Sequence, residues 1–207
     1  MLTGPPPYSD DLKVVLESAK ELTNWIAQRH DNLVIPSQHR YLIPGLLFDL
    51  TIEHHVAIVA LADHHINGSA FALLRASFEA FVRGAWLQLC ASDKEFQLFC
   101  ERDKIPEKLH FSELIEDIEK QEDFPDKLLS QLQNSSWKAM NSYTHGGMLQ
   151  LGRRVNGGII EPNFESEEIV EVLKASGFFA LIALRQIARL SKNESVKIDV
   201  ESKLVGT

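Results

Sequence analysis

The sequence predicts an all-α protein: a bundle of about four long helices with short extra helices and at most one small β-hairpin, near residues 153–161. Three observations carry this. Apolar residues recur at helical spacing along most of the chain. Capping signals bracket those stretches. Only "RRVNGGIIEPN" sets Asn-Gly between β-branched residues, the pattern of a hairpin turn.

The first helix follows Ser9, a suitable N-cap, with Asp10 and Asp11 in its first turn. Its apolar stripe is Leu12, Val15, Leu16, Ala19, Leu22 and Ile26. The prolines of "IPSQHRYLIP" confine the start of the second helix to near Ser37 or near Pro44. That helix is expected to run to about Ile66, where Asn67-Gly68 suits a left-handed C-cap. Ser69 then caps a third helix, rich in alanine and aromatics, that reaches about Cys90. Ser92 and Glu95 form a capping box opening a fourth. From Lys104 to Gln133 the chain is charged and less periodic, and reads as one or two short surface helices broken at Pro106 and Pro125. A short helix holds "SSWKAMNSYTH" and stops at Gly146-Gly147. The last long helix spans about Ser166 to Leu190, with Glu167 and Glu168 at its start and Arg185 and Arg189 near its end, the order the helix dipole favours. One domain over residues 1–207 is expected, with 1–8 and 193–207 as loosely held polar tails.

Composition narrows the function classes. The chain has 207 residues, 44% hydrophobic and 24% charged, an ordinary globular balance. It has no run of 18 uninterrupted apolar residues, so no membrane span is expected. "MLTGPPPYSDD" lacks the basic and apolar regions of a secretion signal. Cys90 and Cys100 are too few for a disulfide framework and lack metal-ligand spacing, so they read as small hydrophobes in a cytoplasmic protein. A formal net charge of −8 argues against loose binding to nucleic acid or an anionic membrane, while Arg153 and Arg154 leave room for a local basic patch. GxGxxG, P-loop, HExxH and GxSxG patterns are absent. Glu107 and His110 make a single ExxH, whereas a di-iron bundle needs two. No cofactor or metal is expected; a mononuclear site would have to be assembled from His54, His145 and a carboxylate.

The informative residues are polar ones at positions that otherwise read as core. On the second helix, Leu46, Leu50, Ala57, Ile58 and Leu61 form the main apolar stripe, and His54 and His65 fall inside it. Eleven residues, about 16 Å, separate these histidines, too far to share one metal ion. Each is either a hydrogen-bonded core histidine or a site residue. His55 borders a second stripe of Phe48, Ile52 and Val59. On the third helix, Arg75 lies among Phe71, Leu74, Phe78, Phe81 and Val82, and Glu79 sits one turn further on. A buried guanidinium costs several kcal/mol unless a carboxylate and other acceptors satisfy it. Arg75–Glu79 is therefore either a structural ion pair or a fork of donors that Glu79 orients toward an anion or a carbonyl. Arg83, one turn on, drifts toward the surface. In "SYTHGG", His145 closes a helix just before two glycines. It reads as a C-capping histidine or as a general acid–base.

"SAFALLRASFEAFVRGAWL" followed by "SYTHGG" resembles a group of uncharacterised bacterial all-α families, marked by Arg-x-x-x-Glu on an alanine-rich helix and a later His-Gly helix end. The resemblance spans roughly Pro36 to Gly147 and implies a helical fold and a bacterial, cytoplasmic origin. A looser resemblance is to the HEPN superfamily, many of whose members are dimeric, metal-independent ribonucleases. Its motif is Arg, four to six residues, then His; here Lys138 stands six residues before His145, a departure, since lysine cannot grip phosphate bidentately. Two expectations follow. The first is a dimeric helical binding or regulatory protein with a polar pocket inside the bundle, lined by Arg75, Glu79, His54 and His145 with Tyr143 at its mouth, taking a small molecule. The second is a HEPN-like ribonuclease, with His145 as acid–base, Lys138 stabilising phosphate charge, and Arg153 and Arg154 on the RNA backbone.

Overall fold

The computed structural model describes residues 7–106, 109–122, 124 and 127–205. Among them, nine helices and one two-stranded hairpin follow in order: α1 (Asp10–His30), α2 (His39–Asp63), α3 (Asn67–Leu89), α4 (Asp93–Arg102), α5 (Phe111–Ile118), α6 (Leu128–Thr144), α7 (Met148–Gly152), β1 (Val155–Asn156), β2 (Ile159–Ile160), α8 (Ser166–Leu190) and α9 (Glu194–Val205). The protein is all-α with a small antiparallel hairpin.

Local signals account for many boundaries. The Ser9 hydroxyl accepts from the Leu12 amide, and Ser92 with Glu95 forms a reciprocal capping box. Pro106 lies in the connection between α4 and α5, while Pro125 falls outside the described residues. The hairpin registers Val155 with Ile160 and Asn156 with Ile159. Its turn is therefore Gly157-Gly158, both at positive φ (55° and 86°), and Asn156 belongs to the strand rather than to the turn.

α3 is the centre of the molecule, packed against α2, α5, α6 and α8. Phe78, fully buried on α3, stacks on Phe179 of α8 with ring centroids 5.0 Å apart. α2 lies between α3 and α8. Among the described residues α2 is the one helix long and apolar enough to cross a bilayer by length and composition, yet it carries the fully buried Thr51 and His55.

Four expectations are corrected. The second helix begins at His39, the earlier of its two expected starts, but it ends at Asp63, and the left-handed residue is His65 (φ 59°) rather than Gly68. Asn67 and Gly68 are instead buried in the first turn of α3, where Asn67 Oδ1 accepts from the Tyr8 hydroxyl. Next, the inward face of α2 is mainly the other stripe: Phe48, Ile52, His55 and Val59 are buried together with Ile58 of the first, whereas Leu46 and Leu50 are exposed. A helix apolar nearly all round does not choose its own inner face. Third, α6 is longer than the short helix expected, opening at Leu128.

Last, most of the expected C-terminal tail is helical. Residues 194–205 form α9, which is capped by Asn193 Oδ1 accepting from the Val196 amide. Its Val200 is fully buried, and its Asp199 pairs with Arg29 of α1 at 3.0 Å. At the other end, the Tyr8 hydroxyl donates to the Ala62 carbonyl (2.7 Å) and its ring stacks on His65.

Candidate functional site

The helix end at "SYTHGG" is built by local backbone geometry. Gly146 adopts φ 65°, and the Gly147 amide returns to the Ser142 carbonyl at 2.7 Å, a Schellman stop. Gly147 also passes so near Ser142 that a Cβ there would come within 2.6 Å of its hydroxyl oxygen. That hydroxyl accepts from the Leu149 amide and so caps α7. The Thr144 hydroxyl donates to the Ala72 carbonyl, which pins the end of α6 to α3. His145, the C-cap, is thereby set against α3.

There it meets Arg75. Arg75 Nε donates to Glu79 Oε1 at 2.7 Å, and Arg75 Nη1 lies 2.6 Å from His145 Nε2. A guanidinium has only donors, so Nε2 must accept, and in this arrangement the imidazole is neutral with its proton on Nδ1. The Arg75 guanidinium carbon also sits 4.8 Å from the centre of the Trp137 ring, a cation–π contact. Trp137 is itself fixed by stacking on Phe111 at 4.7 Å. Arg83 approaches the second oxygen of Glu79 at 3.5 Å. One turn before His145, the buried Asn141 Oδ1 has no hydrogen-bond partner.

The cluster lies at the surface junction of α3 and α6, not inside the bundle. Arg75 and Glu79 side chains each keep 21% of their exposure, and His145 is exposed. The other nominated residues fall elsewhere. Tyr143 is buried, points away from His145 around α6, and meets Phe71 edge-on at 4.8 Å. Near it is Arg153, whose guanidinium is held by Glu168 and approached by Glu165. Burial raises the Tyr143 pKa, as does the Glu168 carboxylate, and Arg153 opposes them. The Glu168 hydrogen bond raises that of Arg153. Arg153 is thus already neutralised. Arg154 is exposed, its guanidinium against Gly68 in the first turn of α3.

Among the described residues no hydrogen bond or ion pair joins His54 to Arg75, Glu79 or His145; His54 is half-buried on α2, where burial lowers its pKa. Lys138 is exposed, two turns or about 10 Å from His145 along the α6 axis. The cation beside His145 is Arg75 from α3. Among the described residues no three His, Cys, Asp or Glu side chains converge to hold a metal ion, and Glu107 lies outside those residues.

Sequence reasoning missed Trp137. The signal was present: Trp137, Asn141 and His145 follow at i, i+4 and i+8, one face of a helix.

No curated protein and no solved structure matches the chain. One family model does, over residues 48–205, a segment that contains Arg75, Glu79, Trp137, Asn141 and His145 and excludes α1. With about three quarters of its length matched, the chain belongs to that family, the family of unknown function DUF6988.

Proposed function

We propose that the chain is a helical binding protein whose recognition site is the Arg75–Glu79–His145–Trp137 cluster, and that its ligand is a small molecule bearing a carboxylate or phosphate. The observation that carries this is the Arg75–His145 contact between two helices, 70 residues apart in sequence. Of the five guanidinium N–H groups of Arg75, Nε and one on Nη1 are engaged, leaving three. His145 Nδ1–H adds another donor, and Arg83 leaves the cluster with a net positive charge once Glu79 is counted. Donors around a fixed guanidinium match an oxyanion. Trp137 supplies an apolar wall.

The test is a titration with inorganic phosphate and with benzoate, observed by NMR of the His145 ring and the Arg75 side chain. Saturable shifts of both residues are expected with at least one probe. Arg75→Lys, which keeps the charge but loses the fork, should weaken binding about tenfold, equivalent to about 1.4 kcal/mol. Neither probe producing a saturable shift at His145 would overturn the reading.

A second reading draws on the same contact. A guanidinium beside a solvent-accessible imidazole is a pairing that serves metal-independent phosphodiester cleavage, with His145 as acid–base and Arg75 stabilising the phosphorane charge. This is the HEPN-like alternative with Arg75, not Lys138, as its cation. RNA cleavage lost in His145→Ala supports it; cleavage that survives that substitution, or no cleavage by the wild type, removes it.

A further inference from the structure

A second concavity lies away from this cluster. It is a groove of about 730 Å³ between α1, α8 and α9. That volume falls in the range of roughly 300–1,000 Å³ common to small-molecule sites. Its walls are mostly apolar: Val15, Leu22 and Trp25 from α1, Phe178 and Leu181 from α8, and Leu204 from α9.

The fold holds the groove open. Gly177 sits in the middle of α8, where alanine would be the better helix former by about 1 kcal/mol. A Cβ on Gly177 would come 2.9 Å from Leu22 Cδ2, so the glycine lets α1 approach and leaves the floor bare. Trp25 is fixed at the other side, with the Arg29 guanidinium 3.9 Å from its ring centre and Arg29 itself tied to Asp199.

Lys174 and Lys203 border the groove, with Glu21 the single acid among its lining residues, on a chain of formal charge −8. Lys203 Nζ stands 5.7 Å from the Trp25 ring centre. Among the described residues no carboxylate pairs with Lys174, which is exposed. An apolar channel with ammonium groups at its edge is complementary to a molecule with a hydrocarbon body and one anionic end.

We infer that the groove between α1, α8 and α9 binds a free long-chain carboxylate, its hydrocarbon chain between Leu22, Trp25 and Phe178 and its carboxylate at Lys174. This inference is independent of the Arg75–His145 site, which lies on other helices.

The test uses the full chain and a fluorescent probe, 11-(dansylamino)undecanoate, displaced in turn by laurate, methyl laurate and dodecylamine. Saturable 1:1 probe binding is expected, with laurate displacing it at least about tenfold more effectively than dodecylamine. Two variants at exposed lining positions leave the core alone, and their melting curves are compared with wild type. Lys174→Glu should weaken laurate about tenfold while leaving methyl laurate unchanged. Ser18→Trp should fill the groove and abolish binding of both. Four outcomes overturn the inference: no saturable probe binding; equal displacement by laurate and dodecylamine; laurate affinity unchanged in both variants; or sedimentation showing a dimer that Ser18→Trp dissociates, which would assign the groove to a second copy of the chain.

Discussion

His55 on α2 and Ser176 on α8 meet in the interior, Nδ1 2.9 Å from Oγ, with both residues fully buried. The Ser176 hydroxyl also reaches the Leu173 carbonyl at 3.0 Å, and the other ring nitrogen, His55 Nε2, pairs with Thr23 Oγ1 at 3.5 Å. Burial pushes the His55 imidazole down to about 4. In the unfolded chain it titrates near about 6.5.

This relationship makes stability depend on pH. Below about pH 6.5 the unfolded chain takes up a proton that the native state refuses, so stability falls as pH drops from about 6.5 to about 4 and gains nothing further above that window. The slope is at most about 1.4 kcal/mol per pH unit, or roughly 3 kcal/mol in all. His54, whose pKa burial also lowers, adds in the same direction. Urea unfolding across this window should show the slope in the wild type and a shallower one in His55→Gln. Equal slopes in the two proteins would remove His55 as its source.

At the surface cluster, Glu79→Gln leaves Arg75 and Arg83 without their shared countercharge. Because both members of the Arg75–Glu79 pair are about one-fifth exposed, the loss should fall below the roughly 3–5 kcal/mol of a fully buried pair, at about 1–3 kcal/mol. For a chain of this length each kcal/mol moves Tm by about 2–4 °C. Arg75→Met with Glu79→Leu should recover most of that stability yet lose the response to phosphate or benzoate. A Glu79→Gln protein melting within about a degree of wild type would show the pair to be solvated.

The glycines after His145 should differ in their sensitivity. Gly146 has φ 65° and open space around its Cα, so Gly146→Ala meets only backbone strain, about 1–2 kcal/mol. Gly147 has ordinary φ, but a Cβ would strike Ser142 Oγ and disturb the cap of α7. Gly147→Ala should therefore cost at least as much as Gly146→Ala and also displace His145 NMR signals, whereas Gly146→Asn, which tolerates left-handed backbone, should be the mildest of the three. Denaturant midpoints rank them, and a Gly147→Ala protein as stable as wild type would show that Ser142 gives way.

Much of the architecture is legible residue by residue. Ser9, Ser92 with Glu95, and Gly146-Gly147 act within one turn of the backbone they cap, so their meaning does not wait for the fold. The last long helix, Ser166 to Leu190, is bounded by its own charges and apolar period. Arg75 with Glu79 could be paired from the i, i+4 spacing alone. Tertiary structure decided what those local rules leave open. α2 is apolar on both sides, so its inner face, and with it the choice of His55 over His54 as the buried histidine, came from packing against α3 and α8. The polar sequence after Lys192 carries a helix because Val200 finds a buried place and Asp199 finds Arg29, 170 residues away. And nothing local pairs Arg75 with His145: only the crossing of α6 over α3 brings a guanidinium to an imidazole, because such contacts depend on where two helices meet rather than on what either helix is.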